Sequence, residues 1–400
     1  MSEVFDGENA LLGNYARAPV CFVSGEGCYL IDDRGRRYLD AIAGIAVCAL
    51  GHAHPAIADA VATQARTLVH ASNLYYHEPS GRLAQELTRR SGFARAFFCN
   101  SGTEANEAAI KLARKLAYRR GEPGRTTILA CSGSFHGRTY GALAATENPA
   151  YRVGFGPLPG DFAFTPFNDS AALEEAIDER VAAFIVEPVQ GESGVHPASA
   201  QFLARARELC SERGALLVFD EIQCGMGRLG DLFAFQSVGV RPDLVTMAKA
   251  LGNGLPIGAM LVGASALDGF LPGDHGSTFG GSPVSAAAAL AHLRVRDELN
   301  LDAHVRAVGA YAMERLQGVA RDFSGLFAEP RGRSLLLALP VKAPHQAAEF
   351  AAALRERGVL VGTAGGNTLR FAPPLIITRD EINVLTETLG SVANEFYIPK

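Results

Sequence analysis

Residues 241–258 read RPDLVTMAKALGNGLPIG, and this stretch decides how the rest of the chain is interpreted. Leu244–Met247 is a short apolar run typical of a buried strand, and Lys249 follows it at the start of a glycine-rich turn. Burial lowers the pKa of a lysine, and an amine kept neutral can form a Schiff base with a carbonyl compound. The alternative is an ordinary lysine at a strand end whose ammonium group reaches water.

Strand-like runs alternate with helical patterns on both sides of this stretch. The alternation predicts an α/β protein with a mainly parallel sheet covered by helices on both faces. Residues 154–166, inside this region, are rich in glycine and proline and are predicted to form a loop. The predicted strands are 96–99, 127–131, 182–186, 215–219, 244–247 and 259–262.

The two ends of the chain follow other patterns. Before residue 50, short strands separated by turns indicate a β-meander, and after about residue 300 the pattern is α+β. Thr378 and Glu381 form a capping box that opens a final helix. The 400 residues exceed the usual length of one domain, about 100 to 200 residues. We predict an N-terminal segment (1–50) that joins the small domain, a large domain (51–295) and a C-terminal small domain (296–400).

Composition and charge indicate a globular protein that acts on small molecules. The chain is 48% hydrophobic and 20% charged, with a net charge of −5 and a pI near 6.1. It contains no basic block, so neither nucleic acid nor an anionic membrane is an expected partner. Residues 1–6 lack the features of a signal peptide, and no uncharged apolar stretch reaches about 18 residues. We therefore expect a cytoplasmic protein.

Neither cysteine nor histidine spacing predicts a metal site. The seven cysteines are scattered and include no C-x-x-C pair, which indicates reduced thiols. His52 and His54 are close in sequence, but no further ligand cluster accompanies them, so structural roles are expected.

Ligands of open α/β sheets bind beyond the carboxyl ends of the strands, so the residues after each run are candidates. Ser101, Gly102 and Thr103 follow one run and begin a helical pattern. Hydroxyl groups, a glycine and free amides at a helix N-terminus suit a phosphate group. They suit a plain N-cap equally well, and both interpretations stay open at this turn.

Asp220 ends another run, and a buried carboxylate needs a cation or hydrogen-bond donors to offset its desolvation. The protonated pyridine nitrogen of pyridoxal phosphate is one such partner, and holding that proton makes the cofactor an electron sink. A buried salt bridge to an arginine is the alternative.

Residues 225–230 spell G-x-G-x-x-G, which would favour an NAD-dependent oxidoreductase. That fingerprint requires a helix that starts in the glycines and an acidic residue about 20 positions later. Here an irregular aromatic stretch follows, and the acidic residues Asp220 and Glu221 come before the glycines. This class is therefore a remote alternative.

Four further side chains suit ring or carboxylate binding. Phe135 could stack on a cofactor ring or simply belong to the core, and Arg138 could bind a substrate carboxylate through two hydrogen bonds. Arg370 lies between two apolar residues and must remain charged, so it needs an anion. Glu192 is a candidate for that anion, although the sequence alone does not pair the two.

Together these motifs resemble the class III, fold-type I pyridoxal-phosphate aminotransferases over essentially the whole chain, and most of all the branch that acts on N2-acetylornithine. The resemblance implies an α/β fold, with a large cofactor-binding domain around a mainly parallel sheet and a smaller α+β domain. The motifs that carry it are NYAR (14–17), SGTEAN (101–106), FHGRT (135–139), EPVQGE (187–192), DEIQ (220–223), AK (248–249), STFGG (277–281) and LRFAPP (369–374).

The resemblance also implies roles in binding pyridoxal 5'-phosphate. Lys249 would carry the cofactor and move protons, Asp220 would pair with the pyridine nitrogen, and Gln223 would lie near the phenolic oxygen. Thr278 would reach the phosphate of the neighbouring subunit, which implies a homodimer with shared active sites. The implied cofactor-binding residues are Ser101, Gly102, Thr103, Phe135, Asp220, Gln223, Lys249 and Thr278.

For the substrates, the resemblance implies that Arg370 binds the α-carboxylate of glutamate or 2-oxoglutarate. Glu192 would cover Arg370 when the other substrate is bound, and Tyr15 and Arg138 would hold the carboxylate at the far end. The implied reaction moves the δ-amino group of N2-acetylornithine to 2-oxoglutarate, giving N-acetylglutamate 5-semialdehyde and glutamate in arginine biosynthesis.

Substrate choice is less sharply implied. Ile45 stands where ornithine aminotransferases have a tyrosine, and an aliphatic side chain cannot hydrogen-bond a free α-amino group, which counts against ornithine. Cys48 stands where asparagine is expected. Succinylornithine, a succinyl-diaminopimelate precursor, ornithine and 4-aminobutyrate remain alternative amino-group partners, and a non-catalytic protein of the same fold is a third class.

Overall fold

The computed structural model describes residues 10–396. Residues 1–6, which bear on the signal-peptide prediction, and the outermost parts of the two terminal segments lie outside this range. The strands are β1 (Phe22–Glu26), β2 (Tyr29–Asp32), β3 (Arg37–Asp40), β4 (Arg95–Cys99), β5 (Thr127–Cys131), β6 (Phe162–Thr165), β7 (Val181–Val186), β8 (Val189–Gln190), β9 (His196–Pro197), β10 (Leu216–Asp220), β11 (Leu244–Met247), β12 (Gly258–Val262), β13 (Arg331–Arg333), β14 (Leu336–Pro340), β15 (Val359–Leu360), β16 (Gly362–Ala364) and β17 (Thr368–Phe371). The helices are α1 (Ala43–Ala46), α2 (Pro55–Thr67), α3 (Glu78–Ser91), α4 (Gly102–Arg119), α5 (Tyr140–Ala144), α6 (Pro149–Arg152), α7 (Ser170–Ala176), α8 (Ala200–Arg213), α9 (Ala234–Val238), α10 (Pro283–Glu298), α11 (Leu301–Asp322), α12 (Ala347–Glu356) and α13 (Arg379–Phe396).

Seven strands form the central sheet, in the order β4-β12-β11-β10-β7-β5-β6. β12 runs antiparallel to both of its neighbours, and the other pairs are parallel. The sheet is therefore mainly parallel, as predicted. The predicted runs 96–99, 127–131, 182–186, 215–219, 244–247 and 259–262 correspond to β4, β5, β7, β10, β11 and β12.

Helices cover both faces of this sheet. Ile185 and Val218 pack in one apolar cluster with residues of α4, such as Leu112. Phe184 and Leu217, the neighbours of those two residues in sequence, pack on the opposite face against α8. Side chains alternate across a strand, so a strand buried on both faces must be apolar at every position. This explains why β7 and β10 are continuous apolar runs.

The prediction of a loop over residues 154–166 was wrong at its end, because β6 (Phe162–Thr165) forms the last strand of the central sheet. Within residues 10–396 it pairs with β5 alone, in parallel, and three of its four residues are only half-buried. Glycine and proline before it dominate the local composition and hide a short strand of this kind. The phenylalanines at 162 and 164 were the signal that the sequence did offer.

Two four-stranded sheets contain the strands nearest the chain ends. β1, β2 and β3 form the expected meander, and β3 also pairs in parallel with β15, where Leu39 lies opposite Val359. The other sheet has the order β13-β14-β17-β16. The pairing of β3 with β15 links the first fifty residues to the C-terminal region, while the three domain boundaries stay a prediction.

α1 is an unusual single turn. Its four residues, Ala43, Gly44, Ile45 and Ala46, have φ angles of 51°, 63°, 65° and 62°, so the turn is left-handed. A β-branched residue such as Ile45 rarely adopts this conformation, which costs of the order of 1 to 3 kcal/mol per residue. No pattern in the sequence predicts this turn. None of the helices in residues 10–396 is long and apolar enough to cross a membrane.

Candidate active site

A cavity of about 380 Å³ opens at the carboxyl ends of the central parallel strands. The turns after β4, β5, β10 and β11 all contribute to its wall, as expected for an open α/β sheet. Because β12 is antiparallel, its entry segment, Leu255 to Ile257, lies at the same edge and closes one side. The predicted site residues in the wall are Ser101, Gly102, Thr103, Phe135, Arg138, Glu192, Asp220, Gln223 and Lys249.

Lys249 lies directly beyond β11 and starts a short 3-10 turn that ends at Gly252. Its own φ angle is 44°, a left-handed conformation that is uncommon for a residue other than glycine. Burial lowers its pKa, while the nearby carboxylate of Glu192 raises it and the charge of Arg370 lowers it further. The net direction is downward. A larger fraction of this amine is therefore neutral, and nucleophilic, than of a lysine in water.

Asp220, the last residue of β10, is 3% exposed and is held by three donors. Its Oδ2 atom lies 2.8 Å from both Asn106 Nδ2 and His136 Nδ1, and its Oδ1 atom accepts from the Ile222 amide at 3.0 Å. Thr246 donates to Asn106 Oδ1 at 2.7 Å and fixes that amide. Asp220 thus meets an imidazole and an amide, where the alternative prediction required an arginine.

The turn after β4 combines a helix cap with an open helix N-terminus. Ser101 is the N-cap of α4, and its Oγ atom accepts from the Glu104 amide at 3.3 Å. Gly102 and Thr103 are the first residues of the helix, where backbone amides have no acceptor within the helix. A Cβ atom on Gly102 would come within 2.7 Å of the Ile222 side chain, so glycine is needed there. The N-cap prediction is therefore correct, and Gly102 and Thr103, whose amides have no acceptor within the helix, both line the cavity.

Arg370 and Glu192 form an ion pair that the sequence could not establish. Arg370 Nη1 lies 2.6 Å from Glu192 Oε1, and the arginine is 3% exposed. Gln223 bridges them, because its Nε2 donates to Glu192 Oε1 at 3.0 Å and its Oε1 accepts from Arg370 Nη1 at 3.3 Å. Burial raises the pKa of Glu192, but the charges of Arg370 and Lys249 outweigh that effect and lower it overall. Glu192 is therefore ionised at neutral pH.

Phe135 and Arg138 lie on the turn after β5. The Phe135 amide donates to Glu187 Oε1 at 2.9 Å, and its half-buried ring meets the Tyr151 ring edge-on at 5.9 Å. The exposed guanidinium of Arg138 lies 3.8 Å from the centre of the Tyr151 ring. This cation–π contact orients Arg138 in the cavity wall, and its guanidinium makes no hydrogen bond to any other residue of 10–396.

Two predicted residues lie outside the cavity wall. Tyr15 is 70% exposed, and the Arg17 guanidinium stacks 5.5 Å from its ring. Thr278 is exposed on the segment before α10, next to Ser277, whose Oγ atom accepts from Asn100 at 3.2 Å. Within this one chain, neither residue is brought together with the others, and both roles stay predictions.

Three residues of the site received no role from the sequence: Asn106, His136 and Glu187. The first two fix Asp220, and they belong to motifs already quoted, so only their contact with Asp220 was missing. Glu187 is 7% exposed and accepts from the amides of Phe135 and Gly191. Burial, reinforced by the negative charge of Asp220, raises its pKa well above the usual range. Its position directly after the buried strand β7 was the available signal.

The dinucleotide fingerprint at 225–230 lacks its structural context. No helix starts in these glycines, and the next helix, α9, begins at Ala234. Arg228 inside the motif is 1% exposed and donates to the Leu335 carbonyl at 3.1 Å, so the segment is part of the packed interior. No group of three potential metal ligands occurs in residues 10–396.

Comparison with known proteins defines the class to which this site belongs. A sequence model of the class-III aminotransferases matches residues 13–392. The chain therefore belongs to the class-III aminotransferase family, as the sequence motifs implied.

The similar proteins refine this assignment. The chain is 44% identical to the acetylornithine aminotransferase of Methanocaldococcus jannaschii, over 95% of each chain. It is 48% identical to the acetylornithine aminotransferase of Xylella fastidiosa, over 92% of this chain and 91% of that protein. A solved ornithine aminotransferase from Toxoplasma gondii, with partial occupancy of PLP at its active site, superimposes with a TM-score of 0.93. That protein shares 34% identity and covers 98% of this chain and 93% of its own.

The cofactor of this family is pyridoxal phosphate, and the residues of the cavity fit it. A buried, strongly hydrogen-bonded carboxylate suits a pyridinium nitrogen, and two free amides at the N-terminus of α4 suit a phosphate. The lowered pKa of Lys249 suits an amine that must react with an aldehyde.

Proposed function

We propose that this enzyme transfers the δ-amino group of N2-acetylornithine to 2-oxoglutarate, forming N-acetylglutamate 5-semialdehyde and glutamate, a reaction of arginine biosynthesis. The observation that carries the proposal is the ion pair between Arg370 and Glu192 at the wall that also contains Lys249. A guanidinium whose counter-ion can be exchanged suits an enzyme that binds substrates with and without a carboxylate at the same point. The names of the relatives supply the substrate.

When bound, pyridoxal phosphate would supply an electron sink, which makes it easier to remove a proton from the carbon next to the transferred nitrogen. In our proposal, Lys249 Nζ would hold the cofactor in the resting enzyme and, once released, would carry this proton from the substrate carbon to the carbon on the other side of the transferred nitrogen. Asp220 keeps the ring nitrogen protonated, because its carboxylate is fixed by Asn106 and His136 and cannot turn away.

The remaining cofactor contacts divide between two subunits in our proposal. Ser101, Gly102 and Thr103 bind the phosphate from one side, and Thr278 of a second copy binds it from the other. Phe135 would stack on the ring, and Gln223 would lie near the phenolic oxygen. This assignment accounts for the exposure of Thr278 in a single chain, since a residue that serves the partner's site must lie at the surface.

Substrate exchange is assigned to Arg370 and Glu192. When 2-oxoglutarate or glutamate is bound, its α-carboxylate takes the place of Glu192 on Arg370. When N2-acetylornithine is bound by its δ-amino end, no carboxylate is present there and Glu192 returns. Arg138 and Tyr15 bind the carboxylate at the end of the substrate that is far from the transferred amino group. Because Tyr15 lies outside the cavity wall of its own chain, this role requires the N-terminal segment to approach an active site.

The α1 turn is assigned to the discrimination between masked and free α-amino groups. Val47 beside it lines the cavity, and Ile45 is 48% exposed on the turn itself. An aliphatic surface there favours an acylated nitrogen over an ammonium group, because a charged group would lose its hydration without a new partner. Succinylornithine and N-succinyl-diaminopimelate precursors satisfy the same criterion, whereas ornithine does not. 4-Aminobutyrate has no α-nitrogen.

We further propose a cytoplasmic homodimer with shared active sites, without nucleic-acid or membrane partners. The exposed apolar residues support the dimer, because several large ones lie close together in sequence around α2 and before α10. The scattered cysteines without a C-x-x-C pair support a reducing compartment. The members of the apolar set are Leu68, Val69, Leu74, Tyr75, Tyr76 and Phe279.

The test is a titration of the purified holoenzyme with single amino donors in the absence of a keto acid, followed by visible absorption. We expect N2-acetylornithine to convert the cofactor at far lower concentrations than ornithine or 4-aminobutyrate. N-succinylornithine is the control for acyl-group choice. A protein that remains without visible absorption after incubation with pyridoxal phosphate would contradict the cofactor roles. Conversion of the cofactor at lower concentrations of ornithine than of N2-acetylornithine would contradict only the proposed substrate.

A further inference from the structure

The turn before α10 (residues 277–281, the Thr278 turn) packs closely on the central sheet. A Cβ atom on Gly280 would lie 2.2 Å from the Phe98 carbonyl oxygen of β4, and Gly281 has a φ angle of 70°. Both positions therefore require glycine, the first for space and the second for its backbone conformation. Because the turn rests directly on β4, its inner side is fixed, while the Thr278 side chain is exposed.

Asn73 holds the same turn from a distant part of the chain. Its Nδ2 atom donates to the Ser277 carbonyl at 3.0 Å and to the Gly280 carbonyl at 2.9 Å. A side-chain amide nitrogen has two donors, and the turn uses both of them. The two carbonyls lie on either side of Thr278 in the sequence, so one side chain fixes the backbone before and after this threonine.

A second asparagine, Asn100, holds the turn as well, but it also belongs to the cavity of its own subunit. Its Nδ2 atom donates to Ser277 Oγ at 3.2 Å and to Glu104 Oε1 at 2.9 Å. Glu104 in turn accepts from the Ser101 hydroxyl at 2.7 Å. Asn100 and Ser101 line the cavity, whereas Asn73 is not part of its wall. The contacts of Asn73 with the Thr278 turn therefore involve no residue of its own cavity.

We propose that Asn73 is a positioning residue for the active site of a second copy of this chain, because it holds Thr278 in place for the cofactor phosphate of that copy. The inference rests on the proposed function, which assigns Thr278 to this phosphate. A hydroxyl on a turn that is already ordered binds without the entropy cost of ordering the turn. Leu74, the next residue, is 86% exposed and belongs to the apolar set that supports the dimer, so Asn73 lies beside the proposed interface.

The first test titrates the full-length protein, freed of its cofactor, with pyridoxal phosphate and separately with pyridoxal, and follows visible absorption. Asn73→Ala should weaken the binding of pyridoxal phosphate roughly tenfold, because two hydrogen bonds to the turn are lost. The affinity for pyridoxal should stay unchanged, because this probe has no phosphate. Thr278→Ala should show the same selectivity, and the double variant should bind no more weakly than the weaker single variant.

Asn168→Ala is the matched control for this titration. Its side-chain amide also donates to a backbone carbonyl, that of Pro197 at 3.1 Å, but outside the cavity and the Thr278 turn. Both affinities should stay at the natural values in this variant. An equal loss of affinity for both probes in Asn73→Ala would indicate a loosened fold and overturn the proposal, as would no loss for either probe.

The second test asks in which subunit Asn73 acts. Hybrid dimers are purified from two differently tagged chains, one of which carries Lys249→Ala and cannot turn over. Only the site of the other chain then works, and in our proposal its phosphate meets Thr278 of the Lys249→Ala chain. Asn73→Ala on the Lys249→Ala chain should raise the pyridoxal phosphate concentration for half-maximal turnover roughly tenfold. The same substitution on the working chain should have no effect.

An effect of Asn73→Ala from the working chain alone, or from neither chain, would overturn the proposal. Thr278→Ala in the same two arrangements tests the shared site itself. If Thr278→Ala acts on the second copy and Asn73→Ala does not, the inference fails while the shared site stands. If Thr278→Ala acts only within its own chain, the shared site fails and the inference fails with it. Asn100→Ala should weaken the working site in both arrangements, because Asn100 contacts both the turn and its own cavity.

Discussion

Lys249 is a buried lysine in the cavity wall, where burial lowers its pKa. Its proposed role in holding the cofactor can be tested by substitution. Lys249→Ala removes the amine on which the cofactor role depends, so turnover is expected to fall to background while the fold is retained, because no ion pair is lost. Visible absorption and the circular dichroism of the purified variant measure the two effects. Lys342→Ala is the control, because Lys342 is exposed and its ammonium group donates to the Ser324 carbonyl, far from the cavity wall. Residual turnover above background in Lys249→Ala would contradict the assignment.

Arg370 can be tested separately from the rest of the site. Arg370→Gln removes the charge that is expected to bind the carboxylate of 2-oxoglutarate, so the KM for this substrate should rise on the order of 100-fold. The half-reaction with N2-acetylornithine should change far less. Arg331→Gln on β13 is the matched control, since Arg331 bonds to the Gly194 carbonyl outside the site. Equal losses in both half-reactions would contradict the division of roles.

His52 makes the stability of the fold depend on pH. The folded state raises its pKa from the ordinary value near 6.5 to about 9, so its contribution is complete below about pH 6.5 and disappears as the pH rises through about 9. The shift corresponds to at most about 3 kcal/mol of the free energy of unfolding, because water at the partly exposed imidazole screens its charge. Urea unfolding at about pH 6.5 and at about pH 9 measures the free energy of unfolding at both pH values. Between them, the natural protein should lose more of this free energy than His52→Gln does. Identical losses would exclude His52 as the cause.

At the residue scale, the sequence indicated which side chains have a functional role but not which residues they contact. Asp220 and Arg370 were selected because a buried charge needs a partner, and Lys249 was selected because burial would keep its amine neutral. The partners themselves lie far along the chain: 84 residues separate His136 from Asp220, and 178 separate Glu192 from Arg370. Such pairs become visible only when the strands are placed side by side.

At the scale of single elements, the first turn of α13 offers a measurable cap. The Thr378 Oγ1 atom accepts from the Glu381 amide at 3.2 Å, and Glu381 accepts from the Thr378 amide at 2.8 Å, which confirms the predicted capping box. Thr378→Ala should lower the free energy of unfolding by about 1 kcal/mol. Thr388→Ala in the middle of the same helix is the control, because it removes a hydroxyl that bonds only to the preceding turn. Equal losses of unfolding free energy in the two variants would show that the cap stabilises the helix no more than an ordinary hydroxyl does.

Strands buried on both faces were predictable as elements because they need apolar residues at every position. β6 was missed because an edge strand is half-exposed and its neighbouring turn dominates the composition. The left-handed α1 turn was missed for another reason: its sequence, AGIA, has only one glycine, so no local preference favours it. Asp40 and the surrounding packing stabilise it, and these contacts are not local.

At the scale of the whole molecule, the proposed dimer has a direct test. Leu74 is 86% exposed, and in the dimer its side chain is expected to be covered, so Leu74→Glu should place a charge in an apolar interface and produce monomers. Sedimentation at several concentrations measures the change, and activity should fall with it because the sites are shared. Val384→Glu, at a residue 44% exposed on α13, is the control. If Leu74→Glu remains a dimer, the surface around Leu74 is not part of the dimer interface.

The ion pair between Arg370 and Glu192 has a consequence for how one cavity can serve two substrates. Whichever substrate is bound, the proposed exchange leaves one anion opposite the guanidinium, supplied either by the enzyme or by the ligand. The electrostatic balance of the buried wall is then the same in both halves of the catalytic cycle. An enzyme built in this way needs no second binding site and no large rearrangement to alternate between a dicarboxylate and an amine.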